Sequence, residues 1–297
     1  VAYVGAAIDA GLDVDAFAKR LSFFFSAGSD LIEEVAKFRA ARRMWARILK
    51  ERFGAESPKS LAMRFHAQTS GAALTAQQPE NNVVRVTLHA LAAVLGGAQS
   101  LHTNSFDEAL ALPTEKSVTI ALRTQQILAL ESGVSNTVDP LAGSYAVEAL
   151  TDEIESRAQE YLDRIDKAGG MVRAIEEGIV QGEIEDTAYR YQKDVEAKRR
   201  QIVGVNVHNT RERPEIDVMT HNPRVHETQV EQIQEVKVSR DNNEVQTTLE
   251  RLRDAAKDPG VNLVYPLIEC VRAYATLGEM SDVLRSVFGE YTQHTLL

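Results

Sequence analysis

The chain has 297 residues, 44% of them apolar and 26% charged, the proportions of a globular protein with room for one large domain or two ordinary ones. A formal net charge of -10 and a pI of about 5.3 argue against nucleic acid as a general partner, while local basic sites leave room for an anionic ligand. The single cysteine, Cys270, excludes an internal disulfide and makes a reducing cytoplasm the simplest compartment; no run approaches the roughly 20 apolar residues of a membrane span.

The chain opens Val1-Ala-Tyr-Val, without Met and without the charged and apolar regions of a secretory signal. It reads as the middle of a helix, as though a segment preceded it. Residues 1–10 and 14–19 are predicted helical, with a break at Gly11. Leu21-Ser-Phe-Phe-Phe25 is a short apolar run with strand character. Asp30 opens a strong helix, with Glu33 three residues on as in a capping box. Leu31, Val35, Phe38, Trp45, Ile48 and Leu49 keep one helical stripe. Lys37, Arg39, Arg42, Arg43 and Arg47 lie between them and read as a solvated face. Residues 60–65 are the next expected strand. Pro79 suits the first turn of a helix that reaches Leu95 and stops at Gly96-Gly97. Residues 100–104 are a third strand.

The order strand, helix, strand, helix, strand, with connections too long for hairpins, implies parallel strands covered by helices. Residues 114–131, 147–168 and 183–199 are further amphipathic helices, and 201–208 is an expected terminal strand. From 209 to 241 periodicity fades and Pro214 and Pro223 appear, the signature of a linker or wrapping arm. Residues 242–256, 262–277 and 281–288 then form a small helical unit.

The polar residues of this pattern gather in two stretches, Arg64-Phe-His-Ala-Gln-Thr-Ser-Gly71 and Gly96-Gly-Ala-Gln-Ser-Leu-His-Thr-Asn-Ser-Phe-Asp-Glu108. Barrel strands normally fill their interior with branched apolar side chains and hold ligands at their C-terminal ends. Here Ser22, His66, Gln68, Gln99, Ser100, Thr103 and Asn104 fall within or just after the strands. Either they cap loops and satisfy backbone groups, or they line a barrel that holds a long, partly polar ligand along its axis. Other chemistries find no support. The seven histidines form no His-Glu-x-x-His pair, one cysteine cannot build a thiolate zinc site, and no metal-binding set stands out. Phosphate-cradling glycine loops and a Gly-x-Ser-x-Gly elbow are absent, and Cys270 lies in a helical stretch with nothing to activate it. A barrel enzyme acting on phosphorylated substrates lacks any Schiff-base or metal constellation.

Several longer motifs carry a resemblance. Arg20-Leu-Ser-Phe-Phe24, Lys37-Phe-Arg-Ala-Ala-Arg-Arg43, His66-x-Gln-Thr-Ser-Gly71, Gln99 through Leu110, Asp139-Pro-Leu-Ala-Gly-Ser-Tyr145, Gly169-Gly-Met171 and Val203-Gly-Val-Asn206 resemble adenosylcobalamin-dependent acyl-CoA mutases. The likeness is greatest to the large subunit of methylmalonyl-CoA mutase and its isobutyryl-CoA relatives, and runs from the first residue to about His208. It implies an α/β fold, the C-terminal part of a (β/α)8 TIM barrel built around a CoA thioester, with the strands here the sixth to eighth. Residues 1–208 would belong to that barrel, 209–241 would be a linker and 242–297 a helical C-terminal extension.

By the same resemblance Arg20, Ser22, Lys59 and Ser100 contact CoA, with Phe24 at the same mouth. His66, Gln68 and Gln99 surround the acyl thioester as the catalytic set, and Asn104 and Glu108 hold the ribose of the adenosyl group. Radical isomerisation of a short-chain acyl-CoA is implied, methylmalonyl-CoA first and 2-hydroxyisobutyryl-CoA or isobutyryl-CoA next, against a non-catalytic scaffold as the rival. Strands one to five of the family's barrel are missing, and so is its cobalamin signature Asp-x-His-x-x-Gly. The expected partners are therefore an N-terminal barrel half and a small cobalamin-binding subunit in an oligomer; C-terminal truncation is the competing account. Ala72 stands where many relatives carry a large aromatic.

Overall fold

The computed structural model describes residues 1–210, 216–220 and 222–292, which fall into two compact units, Val1–Met219 and a second from Thr220 onward. The first begins with α1 (Ala2–Asp9), α2 (Val14–Phe17) and a 3-10 turn at Ala18–Arg20, then β1 (Phe23–Ala27), α3 (Leu31–Glu51), α4 (Pro58–Leu61), β2 (Phe65–Thr69), α5 (Asn81–Leu95) and β3 (Ser100–His102). It continues with α6 (Glu115–Leu130), α7 (Tyr145–Lys167), α8 (Met171–Glu176) and α9 (Ile179–Glu196). The strands form one parallel sheet in the order β1-β2-β3, each joined to the next through a helix. The mostly helical α/β organisation with parallel strands agrees with the sequence pattern.

The sheet is covered on one face. Phe23, Phe25, Phe65, Ala67 and Leu101 point to α3 and α5, where Phe38, Trp45, Leu49 and Ala93 complete the main core. Phe65 stacks on Phe38 at 5.0 Å and meets Phe25 edge-on at 5.5 Å. Each such ring contributes about 1.5–3 kcal/mol through burial. Trp45 also donates from Nε1 to the Ser60 carbonyl at 3.1 Å, so its polar edge is satisfied. Asp30 caps α3 by accepting from the Glu33 N–H, as its spacing predicts.

Several expectations shift. Residues 60–65 were expected as a strand, but Pro58 at the first position of α4 makes a helical turn there, and the strand begins at Phe65. Residues 201–208 form a turn with a single Val203–Val207 bridge, because Gly204 takes a φ of +85°. Basic residues of α3 find acidic partners that their spacing did not announce, while Arg43 and Arg47 stay nearly half exposed to solvent. Arg39 binds Asp139 and Glu148, Arg43 binds Asp152 and Glu155, Arg47 binds Glu155 and Arg52 binds Asp166, which fastens α3 to the acidic side of α7. In the second unit the predicted linker contains α10 (Arg224–Ser239), followed by α11 (Asn242–Ala256), α12 (Val264–Arg272) and α13 (Leu277–Phe288). The last three close a core around Val245, Leu252 and Cys270. No helix among the described residues is long and apolar enough to cross a membrane.

Candidate functional site

The other face of the sheet has no helix over it among the described residues. Strand alternation puts Phe24, Ser26, His66, Gln68, Ser100 and His102 there, and the register sets them in two rows: Phe24–His66–Ser100, and then Ser26–Gln68–His102. Parallel sheets are ordinarily buried on both faces by apolar side chains. Here the bare face is polar, and Phe24 is 68% exposed.

At the N-terminal edge Arg20, Ser22, Phe24, His66, Gln99 and Ser100 line an open cleft of about 460 Å³. Six residues expected at a ligand are thus brought together. His66 lies against the Phe24 ring at 4.6 Å, and its Nδ1 is 2.6 Å from the Ser100 hydroxyl, which fixes the imidazole in place. Arg64 adds a second guanidinium to the cleft, held by its bond to the Lys19 carbonyl. Sequence reasoning passed over Arg64; its place one residue before the β2 apolar–polar alternation was the available signal. Lys59 is exposed on α4, which packs against the Ala18–Arg20 turn, but it does not line the cleft.

Gln99 is not beside Gln68. It precedes β3 at the opposite end of the strands, and its amide is anchored to the backbone: Oε1 accepts from the Phe65 N–H at 2.7 Å and Nε2 donates to the Gly97 carbonyl at 2.8 Å. The expected catalytic trio is therefore divided, with Gln99 at the cationic edge, His66 in the first row and Gln68 in the second.

At the C-terminal edge Gln68 Nε2 donates to Asn104 Oδ1 at 3.1 Å, and the Asn104 N–H donates to Thr69 Oγ1 at 2.9 Å. Asn104 is 2% exposed, yet its Nδ2 has no partner. Buried amides rarely leave a donor unused. Gly71 faces it: a Cβ there would lie 3.1 Å from Asn104 Nδ2 and 3.5 Å from Glu108 Oε1. Gly71 packs so closely that a Cβ would crowd the Asn104 amide, which brings the loop against an amide donor and an exposed carboxylate, a donor–acceptor set suited to a diol. Asp107, next to them, is fully buried; burial pushes its carboxyl up, but the neighbouring Ser105 and Ser117 hydroxyls and the Thr114 N–H, which donates to Oδ2 at 3.2 Å, outweigh that and hold it below the usual value. Its role is to fix the loop. His89, read as a packed or rim histidine, is buried beside Ser29, and burial pushes its pKa down.

Parallel strands crossed by helices, with a bare polar face that is cationic at one end, define an α/β chain with one uncovered sheet face among the described residues. The methylmalonyl-CoA mutase family model matches residues 1–290, and the chain belongs to that family. It is 46% identical over 295 residues to the 2-hydroxyisobutanoyl-CoA mutase large subunit of Aquincola tertiaricarbonis, covering 99% of this chain and 52% of that one. It is 48% identical over 292 residues to methylmalonyl-CoA mutase of Escherichia coli (strain K12), and 46% identical over 291 residues to that of Rhizobium meliloti (strain 1021). Those two matches cover 98% of this chain and 41% of each relative, so the chain spans about half the length or less of these relatives.

Proposed function

We propose that this chain supplies the acyl-CoA-binding part of an adenosylcobalamin-dependent mutase large subunit, which isomerises the carbon skeleton of a short-chain acyl-CoA by a radical route. The observation that carries this reading is the bare polar face, which runs from paired guanidinium groups to a buried amide with a free donor. A CoA thioester has the same order: anionic at one end, amide-bearing along its arm and reactive at the tip.

In this reading Arg20 and Ser22, with Lys59 nearby, take the phosphates. Phe24 and Ser100 flank the arm, and Gln99 braces the cleft wall. His66 and Gln68 orient and polarise the thioester, and neither is a nucleophile. Asn104 and Glu108 hold the ribose hydroxyls of the adenosyl group; the unpartnered Asn104 Nδ2 and the exposed Glu108 carboxylate beside Gly71 fit that group. Adenosylcobalamin, when bound, supplies the radical, while these side chains bind, orient and exclude water.

The strands serve as the sixth to eighth of a (β/α)8 barrel. Residues 209–241 act as a linker that includes α10, and 242–297 as a helical extension. An N-terminal barrel half and a small cobalamin-binding subunit complete the assembly; the designation of the Aquincola relative as a large subunit supports a two-part enzyme. The substrate is methylmalonyl-CoA, which the family match supports. The Aquincola relative, matched over the largest share of its length among those named above, supports 2-hydroxyisobutyryl-CoA as the second reading.

The test mixes the chain with both partners and adenosylcobalamin, and offers methylmalonyl-CoA, isobutyryl-CoA and 2-hydroxyisobutyryl-CoA separately. Rearrangement of one ester is expected. His66→Ala should lower kcat by about 10²–10⁴-fold while CoA-ester binding persists. No turnover together with no CoA-ester binding overturns the reading in favour of a scaffold subunit.

A further inference from the structure

The two loops at the C-terminal edge, residues 70–80 after β2 and 103–114 after β3, carry Gly71 on one side and Asn104 and Glu108 on the other. Strand pairing between β2 and β3 ends at Gln68 and His102. Beyond it, the loops need another tie to keep Gly71 and Asn104 in register.

Asn82, on the first turn of α5, is fully buried and uses its whole amide for this. Its Nδ2 donates to the Thr75 carbonyl at 2.9 Å in the first loop and to the Phe106 carbonyl at 2.8 Å in the second. Its Oδ1 accepts from the Thr75 N–H at 3.2 Å and from Arg85 at 2.7 Å. A primary amide has two donors and one oxygen with two lone pairs, so Asn82 is saturated by this bridge. Arg85 extends it. One guanidinium nitrogen serves Asn82 and the Thr75 hydroxyl, and the other donates to the Val203 carbonyl at 2.7 Å, 118 residues away.

Val203 belongs to the Val203-Gly-Val-Asn206 motif, to which the proposed reaction gives no task. Its turn is rigidly made. Asn206 accepts from the Ile202 N–H at 2.7 Å and donates to the carbonyls of Val195 and Arg200 at 2.8 and 2.7 Å. Gly204 packs so closely on Gln78 that a Cβ would lie 3.2 Å from Gln78 Oε1. Gln78 in turn donates to the His208 carbonyl at 3.0 Å. Gln78 and His208 both hold left-handed backbone, with φ of 48° and 51°. That conformation is costly for such residues and persists where the surroundings impose it.

We infer that Asn82, Arg85 and the strap of residues 201–208 form a clamp that positions both loops, making Asn82 and Arg85 positioning residues for the ligand held by Asn104 and Glu108. The inference rests on the proposed adenosyl role of those two residues. Nothing in the clamp touches the cationic cleft, so it governs one end of the site only.

The experiment compares wild type with Arg85→Met in the assembled protein, by hydrogen exchange and by separate titrations with adenosylcobalamin and CoA ester. Faster exchange is expected at 70–80, 103–114 and 201–208, with α3 and α7 unchanged. Adenosylcobalamin should bind on the order of tenfold more weakly, with KM for the CoA ester unchanged. Arg85→Lys should restore part of the loss, since an ammonium keeps one donor for the Val203 carbonyl. Gln78→Asn gives a milder second variant: it tolerates the left-handed backbone but is too short to reach His208, and should loosen 70–80 and 201–208 together. Exchange changes confined to 201–208, a uniform rise across the first unit, or parallel loss of cofactor and ester affinity would overturn the clamp. If wild type turns over no ester, the functional reading fails by itself, and the exchange pattern still decides whether the clamp holds the loops.

Discussion

Glu279 and Arg240 show how much one pair can contribute to the second unit. Arg240 donates to both carboxylate oxygens, at 2.8 and 2.6 Å, and also to the Tyr274 carbonyl at 2.8 Å. Glu279 closes a capping box with Thr276 at the start of α13. The Arg240 bonds, with those from Thr276, outweigh burial and pull the Glu279 carboxyl from 4.5 down to about 2. A depressed acid stabilises the fold fully above its unfolded value and loses that contribution as the pH falls toward the folded one. The second unit should therefore weaken between about pH 4.5 and pH 2. Glu279→Gln should cost about 1–3 kcal/mol at neutral pH and flatten that acid-side slope, read by chemical denaturation across pH. At this scale the sequence discloses which residue types are unusual for their place, as with His66, Gln68 and Asn104. It does not disclose where an amide aims. Gln99 lines the cleft, but nothing in its spacing discloses that its carbonyl and amino groups are also anchored to the Phe65 and Gly97 backbone.

Among the elements, α3 and α7 illustrate a pairing that spacing alone could not supply. The stripe of apolar residues on α3 identifies its core face correctly, and Val35 packs there with Ala92 and Val147. The arginines between them were read as facing water, since nothing local names a partner more than 100 residues away. Arg39 is less exposed than Arg43, Arg47 or Arg52, with Asp139 and Glu148 closing on it. Arg39→Leu leaves two carboxylates without their cation and should cost about 2–3 kcal/mol in unfolding free energy, whereas Arg157→Leu, an exposed pair within one helix, should cost under about 0.5. The late start of β2 has a similar origin: apolar Leu61 and Met63 suggested a strand, but Ser57-Pro58 opens a helical turn first. Helix α10 escaped notice because none of its residues is buried, so no sustained apolar stripe marks it.

For the whole first unit, the exposed surfaces agree with the proposed missing half. The outer edges of β1 and β3 have no strand partner among the described residues. Helix α6 also exposes Val118, Leu122 and Leu130. Open parallel edges and an unpartnered apolar helix face are liabilities for a chain in isolation. Adding the proposed N-terminal half in trans should raise the thermal midpoint of the mixture above that of the chain alone, by differential scanning fluorimetry; an unchanged midpoint would count against a barrel partner. The bare face has one more consequence. Its rows are spaced by the strand itself, about 7 Å for every second residue, and the four steps from Arg64 to Gln68 along β2 give a run of about 13 Å from the guanidinium end to the Gln68–Asn104 end. The sheet is thus a gauge of length. Under the proposed function, a molecule is sorted first by how far its reactive tip stands from its charges, and only afterwards by what that tip is.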